Sequence, residues 1–247
     1  MARQTSFIKL EGTMGDVTFY KGQNGSFARQ KGGVDKAKIL NDPSFQRVRE
    51  NLAEFARAAA VSNILKGAFR EITLRSKDLR THNRLYTLAV KVVKSDLVSK
   101  RGQREFMLGD QSLMEEFQFN INATWNSTVF ANYLPQNSDT EVGVAFETFI
   151  PGVKIAKPTG ATDARFFLVA CAINPEEKIQ PTNLVYSQVI KLDQEPLTGL
   201  VFSIPRIIVE NAIQVYALGI EYLQEVNGAY YALNDKSHNA AKIILTD

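Results

Sequence analysis

Histidine and cysteine are scarce in this sequence, which contains only His82, His238 and Cys171. One cysteine cannot form an intramolecular disulfide, and Cys171 lies in an apolar run typical of a buried, unreactive thiol. Neither histidine has a second histidine or cysteine at ligand spacing, so a zinc or iron site is not predicted. No Gly-x-Ser-x-Gly turn and no phosphate-binding glycine loop occurs in the sequence. We therefore expect a protein that is not an enzyme and needs no cofactor.

Long apolar runs are also missing, since no stretch approaches the run of about 20 apolar residues that crosses a bilayer. The first nine residues lack an apolar segment of signal-peptide length. We expect cytoplasmic synthesis without a signal peptide and a chain without a membrane span. If the product belongs to an extracellular or virion assembly, it leaves the cell by lysis or by a route that needs no cleaved leader. Its hydrophobic content of 45% is nevertheless enough to build a sizeable core.

Positive charge is concentrated in the first part of the chain and negative charge in the rest. Residues 1–104 hold 21 Lys and Arg against 9 Asp and Glu, a net charge of +12, whereas residues 105–247 hold 8 against 17, a net charge of −9. This asymmetry favours either nucleic-acid binding by the first part or attraction between opposite parts of neighbouring copies. The acidic second part favours attraction between copies, because a neighbour then supplies the countercharge.

Extended segments separated by glycines make up the first 40 residues, and Asn24-Gly25 is a strong signal for a β-hairpin. The pattern predicts a β-ribbon over residues 1–40 with too few large side chains to be stable alone. The ribbon either packs on its own chain or reaches out as an arm that adds strands to a neighbouring copy. In the second case the subunit interface contains the apolar side chains Phe7, Ile8, Leu10, Val17, Phe19, Tyr20 and Phe27.

An α-helical hairpin is predicted over residues 41–104. Asp42 and Pro43 give the start signal for a helix over about 43–70, and a second helix fits about 76–97. Apolar residues recur every three or four positions along the first helix and indicate its buried face: Phe45, Val48, Leu52, Phe55, Ala59, Ile64, Leu65, Ala68 and Phe69.

The other side of both helices is predicted to be basic. It carries Arg47, Arg49, Arg57, Lys66, Arg70, Arg80 and Arg84. Three interpretations stay open for this basic face: a solvated surface, a nucleic-acid contact, or pairing with an acidic neighbour. Residues 99–104 then form a basic linker that marks the predicted boundary with the rest of the chain.

Short β-type runs separated by prolines and turn residues follow from about residue 117. The alternating runs 117–122 and 142–149 predict half-buried strands, and the apolar run 165–173 predicts a central strand. Further candidate strands are 184–192, 200–204, 213–223, 229–233 and 242–245. This number of short strands predicts an antiparallel β-sandwich over residues 105–247. The predicted fold class is α+β, with an N-terminal β-ribbon and an α-helical hairpin followed by the sandwich.

Residues 12–20, 29–34 and 41–51, together with 100–104 and 218–222, resemble an uncharacterised family of hypothetical proteins from Bacteroidota. The resemblance covers most of the chain. Because that family has no assigned activity or site, the resemblance implies a bacterial or prophage origin and transfers no role to any residue.

Taken together, these patterns favour a non-catalytic structural subunit that assembles with other copies of itself into a filament, tube, shell or virion component. Two alternatives stay open. The first is a β-sandwich module that binds a glycan or a protein, where Trp125 would stack on a sugar, although a core or interface position suits that residue better. The second is a nucleic-acid-associated protein that uses the basic helices.

Overall fold

The computed structural model describes residues 1–30 and 32–247, and Lys31, which belongs to the predicted ribbon, lies outside the described residues. The fold class is α+β, as predicted, with N-terminal strands and helices followed by antiparallel sheets. The chain forms two compact units, Met1–Glu50 and Asn51–Asp247. Their boundary therefore lies within the predicted helical hairpin.

The first unit contains a four-stranded antiparallel sheet and one short helix. Its elements are β1 Ala2–Arg3, β2 Gly12–Met14, β3 Val17–Gly22, β4 Gly25–Gln30 and α1 Lys36–Asn41. The strand order is β1-β4-β3-β2. The predicted hairpin is present, because Gly22 of β3 pairs with Gly25 of β4 across a two-residue turn.

The longest helix is α2, Gln46–Ala68. It follows a 3-10 turn, Pro43–Phe45, in which the Asp42 side chain accepts a hydrogen bond from the backbone N–H of Ser44 at 2.9 Å. The buried residues of α2 are Glu54, Ala58, Val61, Ser62, Leu65 and Ala68. The predicted buried face is wrong for the first half of the helix, since its members there are exposed or half-buried: Phe45, Val48, Leu52, Phe55 and Ala59. Near the middle of the helix, Glu54 and Ala58 on a different side are buried instead.

The second unit contains most of α2 and the following further helices and strands: α3 Arg70–Thr73, α4 Thr81–Ser95, α5 Trp125–Thr128, α6 Pro151–Lys154, β5 Tyr133–Asn137, β6 Glu141–Phe146, β7 Asp163–Ile173, β8 Thr182–Tyr186, β9 Ile190–Lys191, β10 Val201–Pro205, β11 Ile213–Val226, β12 Ala229–Ala232 and β13 Ala240–Thr246.

The second unit is built around a six-stranded antiparallel sheet. In that sheet, β7 pairs with β11 from Ile173↔Ile213 to Asp163↔Leu223. The strands β8 and β9 flank β7, and β12 and β13 flank β11. The predicted central strand 165–173 and the predicted strand 213–223 are therefore confirmed.

A second sheet has three strands in the order β10-β6-β5. Its edge strand β5 is absent from the predicted strands because Pro135 interrupts the pattern, yet Pro135 pairs with Val144 of β6. Proline is tolerated at such an edge because one side of the strand needs no N–H donor. The predicted strand 117–122 is wrong, since this segment contributes only an isolated bridge between Gln118 and Lys242.

Three layers result from the alternation of side chains along β7. Phe167, Val169 and Cys171 point into a core shared with α2, α3 and α4, whereas Phe166 and Leu168 point into a core shared with the three-stranded sheet. Both faces of the six-stranded sheet are thus covered, which explains why the run 165–173 is apolar without alternation. Residues 51–104 form the helix layer of this unit and share its core.

Candidate subunit interface

The sheet of the first unit carries apolar side chains on both of its faces. Strand register places Met14, Val17 and Phe19 on one face, and Tyr20 and Phe27 on the other. The Tyr20 and Phe27 rings lie 5.9 Å apart. All five side chains stay exposed or half-buried, and the same holds for every residue of Met1–Glu50 that the structure describes. The contact between the Tyr20 and Phe27 rings therefore leaves both side chains only half-buried.

Phe7, Ile8 and Leu10 lie in the connection between β1 and β2, where they are 95%, 59% and 47% exposed. Gln4 closes this connection into a loop: its Oε1 accepts a hydrogen bond from the backbone N–H of Leu10 at 2.8 Å, and its Nε2 donates to the Leu10 carbonyl at 3.2 Å. Lys9 Nζ also donates to the Gln4 carbonyl at 2.8 Å. The loop thus presents three apolar side chains to solvent on a locally ordered backbone.

Four of the seven predicted basic-face residues contact their own chain. Arg47 pairs with Glu50 at 3.2 Å, and Arg49 donates to the carbonyls of Ile39 and Asp42 at 2.7 and 2.8 Å. Both contacts lie in the first unit, and the Arg49 contact ties α1 to the start of α2.

In the second unit, Arg57 donates to the carbonyls of Gly102 and Arg104 at 2.6 and 3.4 Å. Arg84 pairs with Asp78 at 2.5 Å, and it also donates to the Phe119 carbonyl at 3.2 Å. Asp78 accepts a further hydrogen bond from the backbone N–H of Arg80 at 2.7 Å, so the turn before α4 is fixed and the helix starts at Thr81. Arg57 and Arg84 thus satisfy backbone carbonyls of their own chain.

The remaining predicted basic residues are Lys66, Arg70 and Arg80. Within residues 1–30 and 32–247, their side chains make no hydrogen bond and no ion pair. Arg70 and Arg80 are exposed and Lys66 is half-buried. The predicted basic face is therefore divided into residues used inside the fold and residues open to a partner.

Trp125 lies in the core and not on an edge of the sandwich. It is 2% exposed, and its ring meets the Tyr133 ring edge-on at a centroid distance of 5.8 Å. Cys171 is buried as predicted, and burial raises the pKa of its thiol to about 12. Its thiolate is therefore scarce near neutral pH.

The cavity with the largest volume among those described, about 590 Å³, is an open cleft whose lining includes Tyr133, Glu147 and Lys242. Lys242 Nζ lies 2.7 Å from Glu116 Oε1 and 5.7 Å from the centre of the Tyr133 ring. Burial raises the pKa of Tyr133 above its ordinary value of 10.0 despite this cation. The lysine is thus already neutralised by a carboxylate, and it supports the wall of the cleft.

Two features are absent from residues 1–30 and 32–247. No group of three or more His, Cys, Asp or Glu is placed to hold a metal ion. No helix in the described part of the chain has the length and apolar character required to cross a membrane.

Some apolar residues that the sequence patterns did not predict to be exposed lie on the surface of α2 and of the three-stranded sheet. Leu52 and Phe55 of α2 are 55% and 39% exposed, and Leu134 and Val201 of the sheet are 64% and 53% exposed. The helical periodicity did identify Leu52 and Phe55 as one apolar face, but it assigned that face to the core.

Comparison of the chain with protein-family models, with curated proteins and with solved structures found no match.

Proposed function

We propose that this chain is a non-catalytic structural subunit that assembles with other copies of itself, as part of a filament, tube, shell or virion-type particle. Its subunit contacts use the N-terminal arm and the opposite charges of the two parts of the chain.

The absence of buried side chains among the described residues of Met1–Glu50 carries this proposal. A small sheet gains stability in water when one of its faces is covered by other apolar groups, and each Å² of apolar surface removed from water contributes about 25 cal/mol. Phe7, Ile8 and Leu10 offer such surface and remain exposed. A neighbouring copy that covers them supplies the missing stabilisation.

Charge supports the same proposal. The net charge of +12 on residues 1–104 and of −9 on residues 105–247 lets one copy attract the opposite part of another. Attraction of this kind weakens with salt, because the Debye length falls from about 30 Å at 0.01 M to about 3 Å at 1 M ionic strength.

The test is light scattering after size-exclusion chromatography, with negative-stain imaging, at ionic strengths of about 0.01 M and about 1 M. We expect large regular particles at low salt and smaller ones at high salt. The triple variant Phe7→Ser, Ile8→Ser, Leu10→Ser should reduce assembly and leave the circular dichroism spectrum unchanged.

A matched control is the triple variant Leu79→Ser, Ile208→Ser, Val226→Ser, which removes three exposed apolar side chains outside the arm. It should assemble like the wild type. A wild-type protein that stays a monomer at high concentration and low salt contradicts the proposal.

Nucleic-acid binding is the second candidate, and the open side chains of Lys66, Arg70 and Arg80 favour it. A gel-shift assay with duplex DNA at several salt concentrations tests it. Two results together support this candidate. The affinity for duplex DNA falls steeply with salt concentration, and the triple variant Lys66→Ala, Arg70→Ala, Arg80→Ala binds more weakly than the wild type.

A further inference from the structure

Helix α2 is apolar on two opposite sides. Ala58, Val61 and Leu65 point into the core, whereas Leu52 and Phe55 point outward. Ala56 and Ala59 are exposed on the same outward side, and we name Leu52, Phe55, Ala56 and Ala59 the α2 stripe. A helix that is apolar around most of its circumference is typically covered on all sides. The α2 stripe therefore has the composition of a covered surface.

Helix α4 provides the contrast within the same layer. Its inward residues include Leu85, Ala89 and Val92, all buried. Its outward side carries polar residues, among them Thr87 and Lys91, which are exposed. This is the pattern of an ordinary surface helix, so the apolar outward side is a property of α2 and not of the whole helix layer.

A second uncovered apolar surface lies on the three-stranded sheet. Strand register aligns Leu134, Ala145 and Val201 in one row across β5, β6 and β10, and we name these residues the sheet row. Their neighbours Val144 and Phe146 point the other way, into the core between the two sheets. The sheet row consequently faces outward, with Leu134 and Val201 more than half exposed.

The two surfaces have rims of opposite charge. Lys94 Nζ lies 5.2 Å from the centre of the Phe55 ring, at the border of the α2 stripe. Alternation along β6 puts Glu141 on the outward side, four residues before Ala145 of the sheet row, and Glu147 follows directly after the strand, two residues beyond Ala145. Both carboxylates are exposed, and Glu147 accepts a hydrogen bond from Asn132 Nδ2 at 3.1 Å. The charges match those of the surrounding segments, since residues 51–104 hold 12 Lys and Arg against 4 Asp and Glu.

The dimensions of the two surfaces also agree. Residues 52–59 of a helix span about 11 Å at 1.5 Å per residue. Three strands spaced about 4.8 Å apart span about 10 Å. One apolar stripe therefore covers one row across the sheet.

We infer that the α2 stripe of one copy packs on the sheet row of the next copy, with Lys94 facing Glu147. This inference rests on the proposed self-assembly and adds a second contact between copies to the contact made by the N-terminal arm. The helix layer and the three-stranded sheet lie on opposite sides of the six-stranded sheet, because successive residues of β7 point into two different cores. The contact is thus head to tail, and repeating it gives an open filament or a closed ring.

A charge-exchange experiment tests the pairing. Lys94→Glu and Glu147→Lys each place like charges opposite one another in a uniform assembly, so each variant should raise the protein concentration needed for assembly about tenfold at low salt. The double variant Lys94→Glu, Glu147→Lys should return to within about twofold of the wild type. A 1:1 mixture of the two single variants should also assemble, because alternating copies restore a helix-to-sheet pair of opposite charge.

The apolar part of the contact is tested by Leu52→Glu and Val201→Glu, each of which should abolish pelleting in an ultracentrifuge. Leu79→Glu is the control, since Leu79 is 97% exposed in the turn before α4. Circular dichroism melting of every variant shows whether the monomer remains folded.

The outcomes separate the inference from the proposed function. A wild type that never assembles contradicts both. A wild type that assembles while the charge variants and the Leu52 and Val201 variants assemble equally well contradicts the inference alone, as do two-fold symmetric dimers as the final product. Restoration by charge exchange and by mixing supports the inference.

Discussion

Glu54 of α2 accepts a hydrogen bond from the backbone N–H of Gly102 at 2.9 Å, although the two residues are 48 positions apart. The Glu54 side chain is 3% exposed, and Arg104 Nη1 lies 3.8 Å from its Oε1. Arg57 donates to the Gly102 carbonyl from the same helix. Both backbone groups of Gly102 are therefore engaged by α2, and the segment 99–104, predicted as a linker, is held against the helix layer.

We expect Glu54→Ala to lower the free energy of unfolding by about 3 kcal/mol, because it leaves the Gly102 N–H and the Arg104 guanidinium without their buried partner. Urea denaturation monitored by circular dichroism measures this change. Glu176→Ala, at an exposed position, is the control and should change the free energy by less than about 0.5 kcal/mol. Equal effects of the two variants would show that Gly102 is not anchored by Glu54.

Asp96 should make stability depend on pH in the acid range. Burial alone would raise the pKa of its carboxyl, but hydrogen bonds from the backbone N–H groups of Glu105, Ser99 and Val98 hold that pKa well below the ordinary value of 3.8. A carboxyl whose pKa is depressed by folding stabilises the native state above its unfolded pKa, and this contribution is lost as the pH falls through the folded pKa.

The difference in unfolding free energy between wild type and Asp96→Asn should therefore be constant above about pH 5 and should shrink below about pH 4. Urea titrations at a series of pH values measure it. Asp193→Asn, which alters an exposed carboxylate, should have an effect below about 0.5 kcal/mol at neutral pH. A difference that grows as the pH falls would contradict this role for Asp96.

Arg165 and Glu221 form an ion pair across β7 and β11, with Nη2 2.7 Å and Nε 3.0 Å from Glu221 Oε2. The Arg165 guanidinium also lies 3.8 Å from the centre of the Tyr186 ring. Arg165→Met should cost about 3 kcal/mol, since it leaves the buried Glu221 unpaired. A double-mutant cycle with Glu221→Gln should give a coupling of about 1–3 kcal/mol.

The exposed pair of Lys191 and Glu225, with Nζ and Oε2 3.4 Å apart, is the matched control for that cycle. Its coupling should stay below about 1 kcal/mol because solvent screens the two charges. Couplings of equal size at both pairs would show that burial adds nothing to the Arg165 pair.

Gly219 leaves room for the ring of Phe167, its partner across the β7–β11 pairing. A Cβ atom at Gly219 would lie 2.1 Å from Phe167 Cζ. Gly219→Ala should therefore destabilise the protein by about 1–3 kcal/mol through overpacking, as measured by thermal or urea unfolding. Adding Phe167→Leu should recover part of this loss, whereas purely additive effects would contradict the contact.

Local patterns were sufficient for several elements. The apolar run 165–173 indicated a central strand because only a strand covered on both faces tolerates such a run. Asp42 and Pro43 marked the start of the helical region through capping chemistry that involves neighbouring residues only. Asn24-Gly25 indicated the hairpin between β3 and β4, since such a turn depends on local backbone conformation.

The tertiary structure decided which surfaces are covered. The spacing of Leu52 and Phe55 showed that one side of α2 is apolar. The helical period of 3.6 residues identifies which residues share a face, but it does not say whether that face packs against the core or meets solvent. Pro135 joined a sheet because the pairing with β6 outweighs its poor local propensity. The hydrogen bond between Glu54 and Gly102 depends on a contact across 48 residues, and no local signal specifies a contact of that range.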